Sequence, residues 1–325
     1  MENLNVSKYI GKIDLLAGGI PCQSFSQAGK RLGTDDPRGK LVYTFAKLIK
    51  MLKPSMFLVE NVKGLLSHNC GETLKIFISV LSLDGVYDVS YKLLNSFDYE
   101  VPQKRERLFI IGVSCSDTIE KFIFPEKKTK KFVLSDVLID VPQSVGAKYP
   151  EKKLELFKLI PQGGCWINLP IEKQKEYLGK SFTSGGGKRG ILRRLAMSEP
   201  CLTLLCSPAQ KQTERCHPLE DRPLTVREYA RIQTFPDNFQ FSGSMSAQYK
   251  QIGNAVPPKL AYFIGLALIE LYDRLTPPKT EYENIISNKI SKIFSRDFSS
   301  TVPFDILDSN TDIEFALQSL RIKQR

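Results

Sequence analysis

Histidine is scarce in this 325-residue chain: only His68 and His217 can titrate near neutral pH. Cysteine is present but unorganised. Its seven positions (22, 70, 115, 165, 201, 206 and 216) are scattered and odd in number, and no Cys-x-x-Cys pair occurs, which argues against a zinc site or a disulfide framework. A reducing, cytoplasmic setting is expected, with no metal. No uninterrupted apolar run reaches the ~20 residues of a membrane helix. The nearest, 260–271, is short and contains Glu270. The N-terminus shows no basic segment followed by an apolar core, so neither a signal peptide nor a membrane partner is expected. Internal repeats are also absent.

What is present describes a globular protein. Hydrophobic residues make up 42% and charged residues 25%. The length suggests about two domains at roughly 150 residues each. Lys and Arg number 46 against 35 Asp and Glu, a formal charge of +11. That charge is uneven: residues 121–220 hold 18 basic and 10 acidic side chains, net +8, while 276–325 balance at seven each. A basic middle segment fits a polyanionic partner, nucleic acid first, and equally fits a solvated lysine-rich surface.

Along the chain, 12–20 reads as a short buried strand ending in Gly18-Gly19. A loop rich in Ser, Gly, Lys and Arg follows over 21–39. Leu41, Val42, Phe45, Leu48, Ile49 and Leu52 recur at helical spacing until Pro54 closes the helix. An apolar strand over 56–59 ends in Glu60-Asn61, a helical stretch covers 73–81, and strands are expected near 87–94 and 108–113. This alternation predicts an α/β layer with a largely parallel sheet. After about residue 120, lysines cluster, glycines punctuate and periodicity weakens, which suggests a second, smaller, loop-rich domain. Regular structure returns as a helix over 225–234 and a buried helix over 260–271. The expected domains are 1–120 plus 251–275, then 121–250, with 276–325 as a C-terminal extension.

Five segments carry chemistry. Pro21-Cys22-Gln23 lies just past a strand's C-terminal end, where α/β enzymes place reactive groups, and Lys30, Arg31 and Arg38 could favour a thiolate. A lone cysteine is equally at home as a small core residue. Glu60 of Val59-Glu60-Asn61-Val62 stands at a strand tip, where a desolvated carboxyl can donate a proton or a solvated one can do nothing. In Gln103-Lys104-Arg105-Glu106-Arg107, strand alternation sends Arg105 and Arg107 to one face, as convergent guanidiniums or as a surface ion-pair ladder. In Arg222-Pro-Leu-Thr225-Val-Arg-Glu228, Thr225 and Glu228 form a candidate capping box. Gly253-Asn254-Ala255-Val-Pro-Pro can bring backbone close to a ligand.

In this order, from about Ile13 to Tyr272, the five motifs closely resemble those of the bacterial DNA cytosine-5 methyltransferases. The resemblance implies a Rossmann-like methyltransferase domain that uses S-adenosylmethionine, with a target-recognition domain at the basic middle. It implies transfer of a methyl group to carbon 5 of a flipped cytosine in a specific duplex site, in a restriction–modification setting. Cys22 would be the nucleophile on carbon 6. Glu60 would bind the exocyclic amine and protonate ring nitrogen 3, while Arg105 would hold the base carbonyl with Arg107 as a second clamp. Pro21, Leu41, Asn254 and Ala255 would line the methyl-donor pocket. Gln23, Ser24, Ser26 and Arg31 would meet DNA on a closing loop, as would Thr203 of the Thr203-Leu204 pair, while Gln233 and Phe235 would brace the recognition domain. The Phe-x-Gly-x-Gly turn that the family places upstream of Pro-Cys-Gln is not found in the 21 residues before Cys22 or after Pro258. The catalytic domain is therefore expected to be N-terminally incomplete. A separate chain carrying the missing motif is an expected partner, alongside duplex DNA and a cognate restriction endonuclease. The alternatives are an inactive DNA-binding remnant, an RNA-directed methyltransferase, and a cysteine hydrolase using Cys22 and His217.

Overall fold

The computed structural model describes residues 6–20, 40–115, 120–183 and 190–276. The chain divides into two compact units. The first comprises Met1–Leu94, Glu106–Glu126 and Tyr262–Arg325; the second comprises Asn95–Arg105 and Lys127–Ala261. Relative to the expected boundaries, Asn95–Arg105 and residues 251–261 belong with the second unit.

The first unit is built on a four-stranded sheet. Its strands are β1 (Leu15–Gly19), β2 (Met56–Val62), β3 (Tyr87–Asn95) and β5 (Glu106–Ser114), in the order β1-β2-β5-β3. Strand β4 (Gln103–Lys104) belongs to the second unit. Helices α1 (Lys40–Leu52), the single turn α2 (Gly64–Ser67) and α3 (Glu72–Ser82) complete the layer. The apolar spacing of α1 buries Val42, Phe45, Ala46, Ile49 and Leu52 in one stripe, and Lys53 ends the helix in the left-handed region at φ 50°. Helix α3 buries Leu74, Phe77 and Leu81, and both faces join one core with Phe57, Val59, Leu108 and Ile110.

The sheet is mixed rather than largely parallel. β1 and β2 run parallel, with Gly19 opposite Glu60. β2 and β5 run antiparallel, from Met56 opposite Val113 to Val62 opposite Arg107. Only ten residues, 96–105, separate β3 from its sheet neighbour β5. A parallel return needs a crossover of a dozen or more residues, for which this connection is too short. Strand direction is thus set by connection length, which apolar periodicity does not report. Across the β2–β5 ladder Phe57 faces Gly112, and its ring lies so close that a methyl group on Gly112 would come within 2.0 Å of it. Glycine here makes room for an aromatic ring, which packs on Phe45 at 6.3 Å and Tyr87 at 5.4 Å between ring centres.

The second unit is loop-rich, as the sequence predicts. Its one ladder among the described residues pairs β4 in parallel with β6 (Cys201–Leu202). Helices α4 (Glu151–Phe157), α5 (Ile171–Leu178), α6 (Val226–Ile232) and α7 (Met245–Asn254) pack around two small cores, one containing Leu204, Tyr229 and Ile252, the other Phe157, Leu178 and Leu192. Buried cations tie the loops together. Arg194 donates to the carbonyls of Phe157, Ile160, His217 and Glu220 and to the Asp221 carboxylate. The predicted capping box at α6 is present: Thr225 Oγ1 accepts from the Glu228 N–H at 3.3 Å, and the Glu228 carboxylate accepts from the Thr225 N–H at 2.7 Å. Glu228 also takes a bidentate pair of hydrogen bonds from Arg222, both 2.8 Å. Burial alone would raise the Glu228 pKa, but Arg222 and the Thr225 N–H outweigh it and hold the group below the usual carboxylate value.

Helix α8 (Pro258–Leu275) begins in the second unit and ends in the first. By length and hydropathy alone the stretch Met245–Leu275 could cross a membrane, yet half of its most apolar window is buried and it breaks between α7 and α8 at Ala255–Val256–Pro257.

Two stability predictions follow from these contacts. Gly112→Ala should cost about 1–3 kcal/mol of overpacking, and Phe57→Leu in the same chain should recover part of that loss, read as non-additive urea midpoints. His217 is buried, and its Nδ1 accepts the N–H groups of Leu219 and Glu220 at 3.2 and 3.1 Å. Burial, then the balance of Glu228 against Arg222, lowers its pKa below 6.5. The native state therefore holds fewer protons there than the unfolded chain, so this stability is complete above pH 6.5 and declines as pH falls through that value. His217→Asn, which keeps an acceptor in place, should flatten the dependence of the unfolding midpoint between pH 7 and pH 5.5.

Candidate active site

The first unit assembles its site at the C-terminal end of β2. Met56, Phe57 and Val59 are buried and anchor the strand, so the chain emerges from the core at Glu60-Asn61. Asn61 is itself buried; its amide donates to the Ile20 carbonyl at 2.6 Å, and its own oxygen accepts from the Val62 N–H at 2.8 Å. Ile20 is the last described residue of the β1 exit, two positions before Cys22. The Glu-Asn pair thus divides its work: Asn61 fixes where the chain leaves β1, and Glu60 is left at the tip.

Register brings the partner of Glu60. Arg107 lies directly opposite Val62, on the face that Val62 shares with Glu60, and the diagonal is within reach of a long side chain. Arg107 Nε donates to Glu60 Oε1 at 2.9 Å, with the two side chains 12% and 21% exposed. The guanidinium also donates to the Glu106 carbonyl at 2.8 Å. Burial lowers the Arg107 pKa, with Glu60 opposing, and an arginine remains cationic regardless. A carboxylate and a guanidinium held edge to edge and partly desolvated can accept an amine N–H and donate to a carbonyl, the two faces of an amide-like heterocycle.

Arg105 is placed differently. The strand is interrupted at this residue, between β4 and β5. Its side chain is fully buried in the second unit, and its two terminal nitrogens donate to the carbonyls of Leu204 at 2.8 Å and Gly253 at 2.6 Å. The expected convergence of both guanidiniums is therefore not seen: Arg107 takes the carboxylate and Arg105 takes backbone carbonyls. Alternation failed because it assumes a continuous strand.

The remaining sequence candidates are distributed as follows. Pro21, Cys22, Gln23, Ser24, Ser26 and Arg31 lie outside the described residues. Leu41 is half-buried against the first unit's core. Thr203 is half-buried, and its hydroxyl donates to the Lys104 carbonyl at 2.8 Å. Asn254 is exposed at the end of α7, its oxygen accepting from the Cys206 thiol at 3.1 Å, and Ala255 is half-buried beside it. His217, the partner a cysteine hydrolase would need, is committed to two backbone N–H groups. Sequence reasoning quoted Asn61 and Gln103 without giving either a role. Both are amides inside motifs and are almost fully buried, at 3% and 0% exposure, and an amide beside the apolar residues of a strand tip or strand entry is the available signal.

Among the described residues no cluster of His, Cys, Asp or Glu could hold a metal ion. The model of the C-5 cytosine-specific DNA methylase family matches residues 1–270. The Type II methyltransferase M.Sau96I of Staphylococcus aureus is 53% identical over 82% of this chain and 62% of its own length. M.PspPI of Psychrobacter is 51% identical over 87% of the chain and 70% of its own length, and M.Eco47II of Escherichia coli is 49% identical over 85% and 68%. The chain thus spans between about three-fifths and seven-tenths of these relatives. Among solved structures, a putative DNA modification methyltransferase encoded within an Escherichia coli prophage matches with a TM-score of 0.56 at 26% identity, covering 81% of this chain and 80% of that one. The Entamoeba histolytica methyltransferase EhMeth matches with a TM-score of 0.53 at 17% identity, over 81% and 78%, a likeness of fold. The mixed α/β layer is accordingly that of a Rossmann-like methyltransferase, and the chain belongs to the C-5 cytosine-specific DNA methylase family.

Proposed function

We propose that this chain methylates carbon 5 of a cytosine flipped out of a specific duplex DNA site, in a restriction–modification system with a cognate endonuclease acting at the same site. The observation that carries the reading is the Glu60–Arg107 pair at the tip of β2, on the strand whose Asn61 holds Ile20 just before Pro21-Cys22. The second unit is proposed as the target-recognition half. Gln23, Ser24, Ser26 and Arg31 are proposed to meet DNA.

Cys22 adds as thiolate to carbon 6 of the cytosine, breaking the 5,6 double bond and sending charge toward ring nitrogen 3. Glu60, entering the step as the protonated acid, accepts the exocyclic N–H through one oxygen and gives its proton to nitrogen 3 from the other as that charge develops, becoming the carboxylate that Arg107 stabilises. Arg107 holds the ring carbonyl oxygen while keeping the Glu60 carboxyl oriented. The Glu60–Arg107 ion pair supports giving Arg107 the base-holding role that the family resemblance had placed first on Arg105. Once carbon 5 has bonded the methyl group, a base removes the proton from that carbon and the carbon–sulfur bond breaks, which restores the Cys22 thiolate.

S-adenosylmethionine supplies the methyl group. The exposed carboxamide of Asn254 suits its polar groups, and the half-buried Ala255 offers an apolar wall; Pro21 and Leu41 are proposed as further donor-binding residues. A donor-binding segment contributed by a separate chain is part of the proposal.

Tritiated methyl transfer to unmethylated duplex DNA is expected from the wild type once a relative's donor-binding segment is added in trans, with little or none before, and is lost in Cys22→Ser. Covalent trapping on 5-fluorocytosine DNA should vanish in the same variant; trapping that persists means the nucleophile is another residue. Arg107→Met should lower kcat by about a hundredfold or more, the typical loss when one donor to a developing charge is removed. A full rate in Arg107→Met would remove it from the site.

A further inference from the structure

The second unit buries more polar groups around one point than the proposed chemistry uses. Three segments meet there: residues 103–105, 203–206 and 252–255. Gln103, Arg105 and Gln233 each have 0% exposure. Gln103 accepts from the Leu204 N–H at 3.0 Å through its oxygen and donates to Gln233 at 2.8 Å through its amide nitrogen. Gln233 passes the connection on, donating to the Ile252 carbonyl at 2.7 Å and to Ala255 at 3.3 Å. Arg105 bridges the other two segments through the carbonyls of Leu204 and Gly253. Leu204 is therefore held at both its N–H and its carbonyl. The segments also touch directly: a methyl group on Gly253 would lie 2.6 Å from the Leu205 carbonyl, and the Cys206 thiol donates to Asn254.

We infer that Arg105 is a positioning residue that locks the Thr203-Leu204 segment to the Gly253-Asn254-Ala255 turn, with Gln103 and Gln233 completing the clasp. This rests on reading the first segment as part of target recognition and the second as the donor-side turn. A base contact by Arg105 would require a fully buried cation, already bonded to two carbonyls, to be re-exposed. The choice of arginine is explained by its planar fork, whose two terminal nitrogens reach carbonyls on separate segments; a lysine ammonium on its flexible stem offers no such fixed span. The amides of Gln103 and Gln233 are the right groups for the rest, because each supplies a donor and an acceptor and so continues a chain of hydrogen bonds. A shift of residues 203–206 is passed to residues 252–255 through the Arg105 bridge, the Gln103–Gln233 chain and the Cys206–Asn254 bond, so DNA engagement and donor binding are set by one rigid element.

The test uses the full chain and the series Arg105→Lys, Arg105→Met and Gln233→Met, with Leu178→Ala, from the other core of the unit, as a destabilised control. Hydrogen exchange should rise together in peptides covering 201–207 and 251–257 in Arg105→Met, and by an intermediate amount in Arg105→Lys. In methyl-transfer assays with S-adenosylmethionine and unmethylated plasmid DNA, the KM for donor and the KM for DNA should both rise, by about tenfold in Arg105→Met, as expected for loss of one charged hydrogen bond. Partial recovery of both constants is expected in Arg105→Lys, and neither constant should move in Leu178→Ala. Gln233→Met should reproduce the joint rise even if Arg105→Met fails to fold. Exchange that rises in one segment only, or a control that raises both KM values equally, overturns the inference. Absence of methyl transfer in the wild type with the donor-binding segment added would count against the functional reading alone, and the exchange measurement then decides the clasp.

Discussion

The register of β5 against β2 is the constraint on which the site depends. With Val62 opposite Arg107, the guanidinium falls on the face and within the reach of Glu60. A slip of one residue would send Arg107 to the opposite face of the sheet. The register is secured at the other end of the same ladder, where the ring of Phe57 occupies the space that the missing Cβ of Gly112 leaves. Any other pairing would set a side chain against that ring. Apolar packing in the core of the first unit therefore fixes the geometry of a charged pair at the strand tip.

The second unit follows a different economy. Its two cores are small and its regular ladder is two residues long, so its loops are held by side chains that bond to backbone carbonyls. Arg105, Arg194 and Arg215 are all nearly or fully buried and donate to carbonyls of distant segments. Lys153 pairs with Glu214, whose side chain is fully buried. Several cations that contribute to the net +8 of residues 121–220 are thus structural members. The charge count pointed toward nucleic acid for a reason that is partly architectural.

Much of the first unit was legible in the sequence because its elements announce themselves. The stripe of α1 and the apolar run of β2 appear where spacing places them, as does the capping pair Thr225–Glu228 in the second unit. Strand direction was not legible, since it follows from a ten-residue connection rather than from any apolar pattern. The roles of Arg105 and Arg107 were not separable either. The two are alike in type and alternate in sequence, and only the break between β4 and β5 sends one to carbonyls and the other to a carboxylate. Asn61 and Gln233 illustrate the same limit: a buried amide is recognised by its partners, and those lie 41 and 130 residues away, at Ile20 and Gln103.

The central claim is that Glu60 and Arg107 together hold the flipped cytosine while Arg105 stays on its carbonyls. A crystal structure of the protein captured on a duplex carrying 5-fluorocytosine at the target position tests this most directly. The expected result places the Glu60 carboxylate within hydrogen-bonding distance of the exocyclic amine and ring nitrogen 3, places Arg107 on the ring carbonyl, and leaves Arg105 on Leu204 and Gly253. A base held by Arg105, with Arg107 turned away, would contradict it.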